Sequence, residues 1–354
     1  VAAATALAVG AYAWNNTTSS RRAAARVRRA GFAQRRATLA SGVTLSYAEG
    51  PDTGPPLLLV HGQGSARQTY DRALPALARN FHVFVVDVAG HGDSDRTPDR
   101  YTVHLLGADL VDFIRNTVHE PVIVSGHSSG GLLAAWVAAE APDLVSAVLF
   151  EDPPFFSTDP ERFRHQFNYV DLDRPAHEFL EQLEHAEHPR QASQAAHTDF
   201  ASWYIEHNAW IGYFGGGRDG IVRYAQRLRR AHPERPLTLW FFPPTTNESF
   251  AHMNRFDPQF ADAFYELRWQ AGFEQSATLA RITQPTILVH ANWRITEEGI
   301  LEGAMTDEDA ARASALLAEC RLQRVDTGHG FHFEDPRTFV ALVEQLSARV
   351  PRSP

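Results

Sequence analysis

Between residues 43 and 150, short apolar runs alternate with longer stretches whose apolar positions recur at helical spacing. The runs VTLSYAE (43–49), LLLV (57–60), FHVFVVD (81–87), PVIVSG (121–126) and SAVLF (146–150) predict buried strands. PTILVH (285–290) and RLQRVD (321–326) continue the series further on. Residues 105–118 and 131–140 carry apolar side chains every three or four positions. The segment 337–350 turns Phe339, Val340, Leu342, Val343 and Leu346 to one side, so all three segments predict helices. Strands alternating with helices predict a mostly parallel α/β sheet flanked by helices.

Between residues 153 and 281 the strand signal disappears, and the pattern is of helices broken by Pro and by Gly215-Gly216-Gly217. That stretch holds 23 of the chain's 38 aromatic residues. Such enrichment fits the core of a helical lid, an apolar face over a site, or both. The expected division is a core from 41–152 and 282–354, with a helical cap over 153–281.

The first 40 residues read differently. VAAATALAVGAYAW (1–14) is almost wholly apolar, seven arginines follow, and no acid precedes Glu49. A spanning helix needs about 20 apolar residues, and a signal peptide carries its charge before the apolar run. The segment therefore reads as a leader: a short membrane anchor, the remnant of an export signal, or an over-long reading frame. The fold is expected in the residues that follow it. Membrane contact is expected only if this leader is a genuine anchor, and a cytoplasmic location is favoured over an anchored or exported one.

Composition narrows the chemistry. The chain has no Lys, so all 33 basic residues are Arg, and Schiff-base or Lys-general-base mechanisms drop out. A single Cys, Cys320, excludes a disulfide scaffold or a Cys-built metal site and is expected to be buried at the start of a strand. Net charge −9 argues against nucleic acid as a partner. His185, His188 and His197 could in principle seat a metal, but solvated roles are expected for them, and no metal or cofactor is predicted. Gly215–Gly220 is no phosphate loop, since neither a preceding strand nor a following Lys-Ser/Thr is present.

Three short segments carry chemistry. Gly126-His127-Ser128-Ser129-Gly130-Gly131 follows PVIVS directly and opens a helix. This is the G-x-S-x-G elbow in its strand–turn–helix context: a sharp turn lifts a Ser hydroxyl above the sheet, and flanking glycines let strand and helix approach. Ser128 is the expected nucleophile, and Ser129 offers a backbone N–H at a helix start. His61-Gly62-Gln63-Gly64, at the end of LLLV, can present a second N–H to an oxyanion, from Gly62 or Gln63, with His61 structural. Third, Asp326-Thr327-Gly328-His329-Gly330-Phe331-His332 leaves the last strand, making His329 the expected general base and His332 the alternative.

The acid is less direct. Where a G-x-x-D loop is usual after PTILVH, the chain reads Ala291-Asn292-Trp293-Arg294, with Glu297 and Glu298 displaced. SAVLF, by contrast, ends in Glu151-Asp152-Pro153-Pro154. Asp152 is therefore expected to orient His329, with Glu297 and Glu151 as alternatives. The chain order Ser, Asp, His agrees with such a sheet.

With those segments in place, residues 43–350 resemble α/β-hydrolase-fold enzymes, as does Asp87-Val88-Ala89-Gly90-His91-Gly92-Asp93-Ser94. NFHVFVVD, TPDRYTVHLLGADLVDFI, GHSSGGLLAAW, EDPPFF and Arg294-Ile295-Thr296 together resemble the bacterial zearalenone-lactone hydrolases. That resemblance implies a cap inserted after the sixth strand, an acid following that strand at Asp152, and hydrolysis of a macrocyclic resorcylic lactone through an acyl-enzyme. It covers most of the core and fades in the cap, and His61-Gly62-Gln63-Gly64 follows the superfamily pattern rather than the lactonase one. The expected function is a cofactor-free serine hydrolase acting on a small-molecule ester or lactone of a bulky aromatic compound. C–C bond hydrolysis of a β-diketone-like compound and a ligand-binding receptor with an idle triad are the rivals. Haloalkane dehalogenase and epoxide hydrolase chemistry are disfavoured, since both need a carboxylate nucleophile.

Overall fold

A computed structural model describes residues 2–185 and 199–350. The strands are β1 (Ala33–Thr38), β2 (Thr44–Glu49), β3 (Pro56–Val60), β4 (His82–Val86), β5 (Val122–His127), β6 (Val145–Glu151), β7 (Thr286–His290), β8 (Arg294–Ile295), β9 (Leu301–Glu302) and β10 (Cys320–Arg324). Eight of them form one sheet in the order β1-β2-β4-β3-β5-β6-β7-β10. β1 and β2 run antiparallel at one edge, and from β4 to β10 the pairing is parallel. This is the α/β-hydrolase fold that the sequence predicts, and all seven predicted strands are present within two residues at their ends.

Alternation along each strand builds two layers, because successive side chains point to opposite faces. Leu57, Leu59, Val83, Val85, Ile123 and Leu149 pack with Phe339, Leu342, Val343 and Leu346 of the helix Pro336–Ser347. Leu58, Val60, Phe84, Val86, Val124 and Phe150 pack beneath the helices Val103–Phe113 and Ser129–Glu140. The second cluster continues without a break into Phe179, Tyr204, Phe250, Phe260, Phe264 and Trp269, which lie between β6 and β7. Among the described residues that insertion contains helices and no strand, as its pattern predicts. Its aromatics therefore serve first as the core of the cap.

Register sets the site. Gly126 pairs with Phe150 and His127 with Glu151, while Glu151 pairs with Val289 and His290 with Arg324. The chain thus leaves β5, β6, β7 and β10 at one level, and the residues that follow each strand meet at the same edge.

The N-terminal segment departs from expectation. Residues 1–40 read as a leader outside the fold, yet Ala33–Thr38 pairs with β2 over six positions, from Ala33↔Glu49 to Thr38↔Thr44. The helix Ala2–Arg29 packs its second half inward, burying Ala23 and Val27, with Phe32 just beyond it. β1 escapes a periodicity reading because AQRRAT is exposed at nearly every position and is held by the ladder and by Arg35–Glu49 at 2.5 Å. No helix among the described residues is long and apolar enough to cross a membrane. Three smaller corrections concern the loop after β7, which folds into the β8–β9 hairpin, Cys320, which is half-buried rather than buried, and β10, an edge strand exposed or half-buried along its length rather than a buried one.

Candidate active site

Ser128 stands between β5 and the helix Ser129–Glu140 with φ 54° and ψ −125°, a conformation that costs a non-Gly residue energy and holds it at a sharp corner. Neighbouring glycines make the corner possible. A Cβ on Gly126 would lie 2.3 Å from the Gly130 carbonyl oxygen, and one on Gly130 would lie 2.5 Å from those of Val60 and His61. The Ser128 N–H donates to Glu151 O at 3.1 Å, tying the corner to β6.

His329 Nδ1 donates to Asp152 Oδ2 at 2.8 Å, leaving Nε2 free to accept a proton. Asp152 is 1% exposed and also sits at positive φ, 47°. Its Oδ1 accepts from Ala291 N–H at 3.1 Å. Burial alone would raise the Asp152 carboxyl, but the imidazoles of His290 and His329 and the Ala291 N–H hold it below the usual carboxylate range. Ser128 and His329 line one cavity, and no hydrogen bond joins their side chains. Such bonds often tighten only once substrate is in place.

The alternatives fall elsewhere. Glu297 and Glu298 are exposed between β8 and β9. Glu151 and His332 find each other: His332 Nδ1 meets Glu151 Oε2 at 2.9 Å, with both side chains wholly buried. Tyr70 stacks on His332 at 3.9 Å and donates to Glu151 Oε1, as does Ser125. His61 is buried, and burial lowers its pKa to about 4. It stays neutral, and its Nε2 accepts from Val88 N–H at 3.1 Å, the structural role expected of it. Of the cap histidines weighed as ligands, His185 is exposed and bonds Glu181 O, while His188 and His197 lie outside the described residues.

Two residues at the site carry no sequence signal. His127 Nε2 donates to His329 O at 2.8 Å. Burial, with His329 and His332 nearby, keeps His127 uncharged, so it can fix the His329 backbone without competing for a proton. His290 is buried with Nδ1 3.7 Å from Asp152 Oδ1 and Nε2 3.0 Å from Asp307 Oδ1. Its place as the last residue of a strand reads simply as sheet.

The loop after β3 is braced from several sides. Gly64 N–H donates to His91 Nε2 at 3.1 Å, and Arg67 pairs with Asp87 at 2.5 Å below it. Gly62 leaves no room for a side chain, since a Cβ there would lie 2.8 Å from Ser128 Cβ. Gln63, rather than Gly62, lines the cavity beside Ser128 and Ser129. Its side chain is gripped by the cap: Gln63 Nε2 donates to Asp173 Oδ1 at 2.6 Å, and Asn168 Nδ2 donates to Gln63 Oε1 at 3.0 Å. The cavity measures about 110 Å³ and is lined on the cap side by Phe163, Gln166, Phe167 and Phe264.

A family model described as alpha/beta hydrolase fold matches residues 55–336. The bifunctional epoxide hydrolase 2 of Sus scrofa is 32% identical over 122 residues, 34% of this chain and 22% of that protein. The 2-(acetamidomethylene)succinate hydrolase of Mesorhizobium japonicum is 31% identical over 118 residues, 33% of this chain and 42% of that protein. The matched segments thus span less than half of either relative. The crystal structure of a membrane phospholipase A, a bacterial virulence factor, has a TM-score of 0.61 at 17% identity, covering 99% of this chain and 97% of that one, which is a likeness of fold.

Proposed function

The chain belongs to the alpha/beta hydrolase fold family, and from that premise we propose that it is a serine hydrolase cleaving a carboxylic ester or lactone through an acyl-enzyme. The observation that carries this reading is a Ser at a strained corner, sharing a cavity with a His whose other nitrogen is held by a buried carboxylate. Ser128 Oγ attacks the carbonyl carbon while His329 Nε2 takes the hydroxyl proton. Asp152 keeps the His329 tautomer and stabilises the imidazolium without taking the proton itself. The tetrahedral oxyanion is received by the N–H groups of Gln63 and Ser129, worth about 10²–10³ in rate per donor. His329 returns its proton to the leaving alkoxide, and water then repeats the sequence on the acyl-Ser128 ester.

Substrate size is the open dimension of this proposal. A resorcylic macrolactone of the zearalenone type is the substrate that the sequence resemblance implies. The cavity, at about 110 Å³, is well below the roughly 300–1,000 Å³ of pockets that enclose drug-sized ligands. A macrolactone must displace the cap wall at Phe163 and Phe264 to bind, whereas a small acyl group fits as the site stands. The test is a fluorophosphonate label at Ser128 together with a product screen by mass spectrometry over zearalenone, simple aryl esters and small lactones. Labelling and turnover, both lost in Ser128→Ala and in His329→Ala, are expected. An unlabelled protein would favour a receptor with an idle triad, and a product with a cleaved carbon skeleton would favour C–C bond hydrolysis.

A further inference from the structure

A cavity of about 340 Å³ lies away from Ser128, where the helix Ala2–Arg29 meets the cap. Thr17, Ser20 and Arg21 of that helix line it, facing Arg229, His232 and Arg235 of the cap. None of the residues lining it is acidic. In a chain of net charge −9, three guanidinium groups, an imidazole and three hydroxyls around one hollow are a local reversal of sign.

Arg229 supplies the second observation. Its side chain is 6% exposed, and its terminal nitrogens donate to Pro233 O at 2.6 Å and toward Asp199 Oδ1 at 3.3 Å. Its Nε, however, is buried without a partner. A buried guanidinium N–H left unpaired is costly, and the cost disappears when an anion accepts from it. Arg presents its donors in a planar fork that suits a phosphate oxygen pair. Leu237 adds an apolar wall to the same cavity, and the same helix exposes Leu7, Tyr12 and Trp14.

We propose that this cavity is a binding site for a phosphate group, seated between Arg21, Arg229 and Arg235. The site is separate from the Ser128 chemistry and stands or falls independently of it. Two sources can present such a group, a phospholipid head at a membrane surface or a soluble phosphate ester, and the experiment distinguishes them. Calorimetry on the full chain with inorganic phosphate is compared between the wild type and the Arg21→Gln/Arg235→Gln double variant. Both replaced side chains are exposed, so the double variant folds. Co-sedimentation is run in parallel with phosphatidylglycerol vesicles and with phosphatidylcholine vesicles.

The expected result is phosphate binding that weakens about tenfold or more in the double variant, with thermal unfolding unchanged. Arg229→Gln should weaken it as well. If phosphatidylglycerol vesicles also carry down the wild type but not the double variant, the source is a lipid head. Phosphate binding without vesicle binding means a soluble phosphate ester. Absence of phosphate binding, or equal binding by wild type and double variant, overturns the proposal. So does vesicle binding that the double variant keeps in full, since the exposed apolar helix alone would then hold the membrane.

Discussion

Two histidine–carboxylate pairs lie side by side in this molecule, built from adjacent acids and from histidines three positions apart. Asp152–His329 and Glu151–His332 have nearly the same length, 2.8 and 2.9 Å. Their surroundings are opposite. The His329 side chain is 40% exposed and opens on the cavity with Ser128, whereas His332 and Glu151 are wholly sealed under Tyr70. The buried pair even meets a hydroxyl, Thr69 Oγ1, 3.0 Å from His332 Nε2. The same three functional groups thus line an open cavity in one place and form a sealed strut in the other. Solvent and substrate access separates them, not the chemistry of the side chains. Glu151 also receives Tyr70 and Ser125, so that pair anchors β5, β6 and the segment after β3 beneath the site.

Substitution of the two acids should break the comparison most sharply. Asp152→Asn is expected to lower kcat by about 10⁴-fold with little change in unfolding, because His329 loses its tautomer. Glu151→Gln should do the reverse, costing about 3–5 kcal/mol in urea unfolding while kcat stays within about tenfold. Glu297→Gln should change neither. A large loss of kcat in Glu297→Gln with Asp152→Asn active would overturn the acid assignment. A smaller effect is expected at Gly62, which touches only the open side. The Cβ of Gly62→Ala would meet Ser128 Cβ at 2.8 Å and push the Gln63 N–H out of position, lowering kcat by about 10²-fold at nearly constant KM.

The smallest effect lies just outside the sealed pair, at the residue after Tyr70. Asp71 follows Tyr70, and burial, with Glu248 nearby, raises its pKa from 3.8 to about 7. A raised folded-state value favours folding while the carboxyl is protonated. That contribution is lost as pH rises from about 4 to about 7 and is constant beyond. Asp71→Asn escapes the loss, so its advantage in Tm over the wild type should grow from pH 4 to pH 7 and then level off. A difference in Tm that does not vary with pH would show that Asp71 ionises freely.

Much of this arrangement is legible along the chain. Six buried strands stand out because alternation and apolar runs are local, and the elbow at Ser128 because its glycines are needed at fixed offsets. The expected trio of Ser128, Asp152 and His329 converges at one edge, and Asp152 rather than Glu297 meets His329. β1 is not legible, since an exposed polar edge strand is held by its ladder rather than by a buried face. His127 and His290 are equally silent: one occupies a free position of a motif, the other ends an apolar strand, and each gains its meaning from a partner far away in sequence. The hold that Asp173 and Asn168 of the cap have on the Gln63 side chain is likewise invisible along the chain.

Side-chain periodicity and glycine sterics act within a few residues, so the chain by itself specifies the buried strands, the corner at Ser128 and the residue types available for chemistry. Which histidine opens on the cavity, how small that cavity is, and the meeting of the N-terminal helix with the cap around a basic hollow all depend on the folded chain. Burial and access are settled by segments brought together from distant parts of the chain, as when Thr69 and Tyr70 close over His332 and leave His329 in the open.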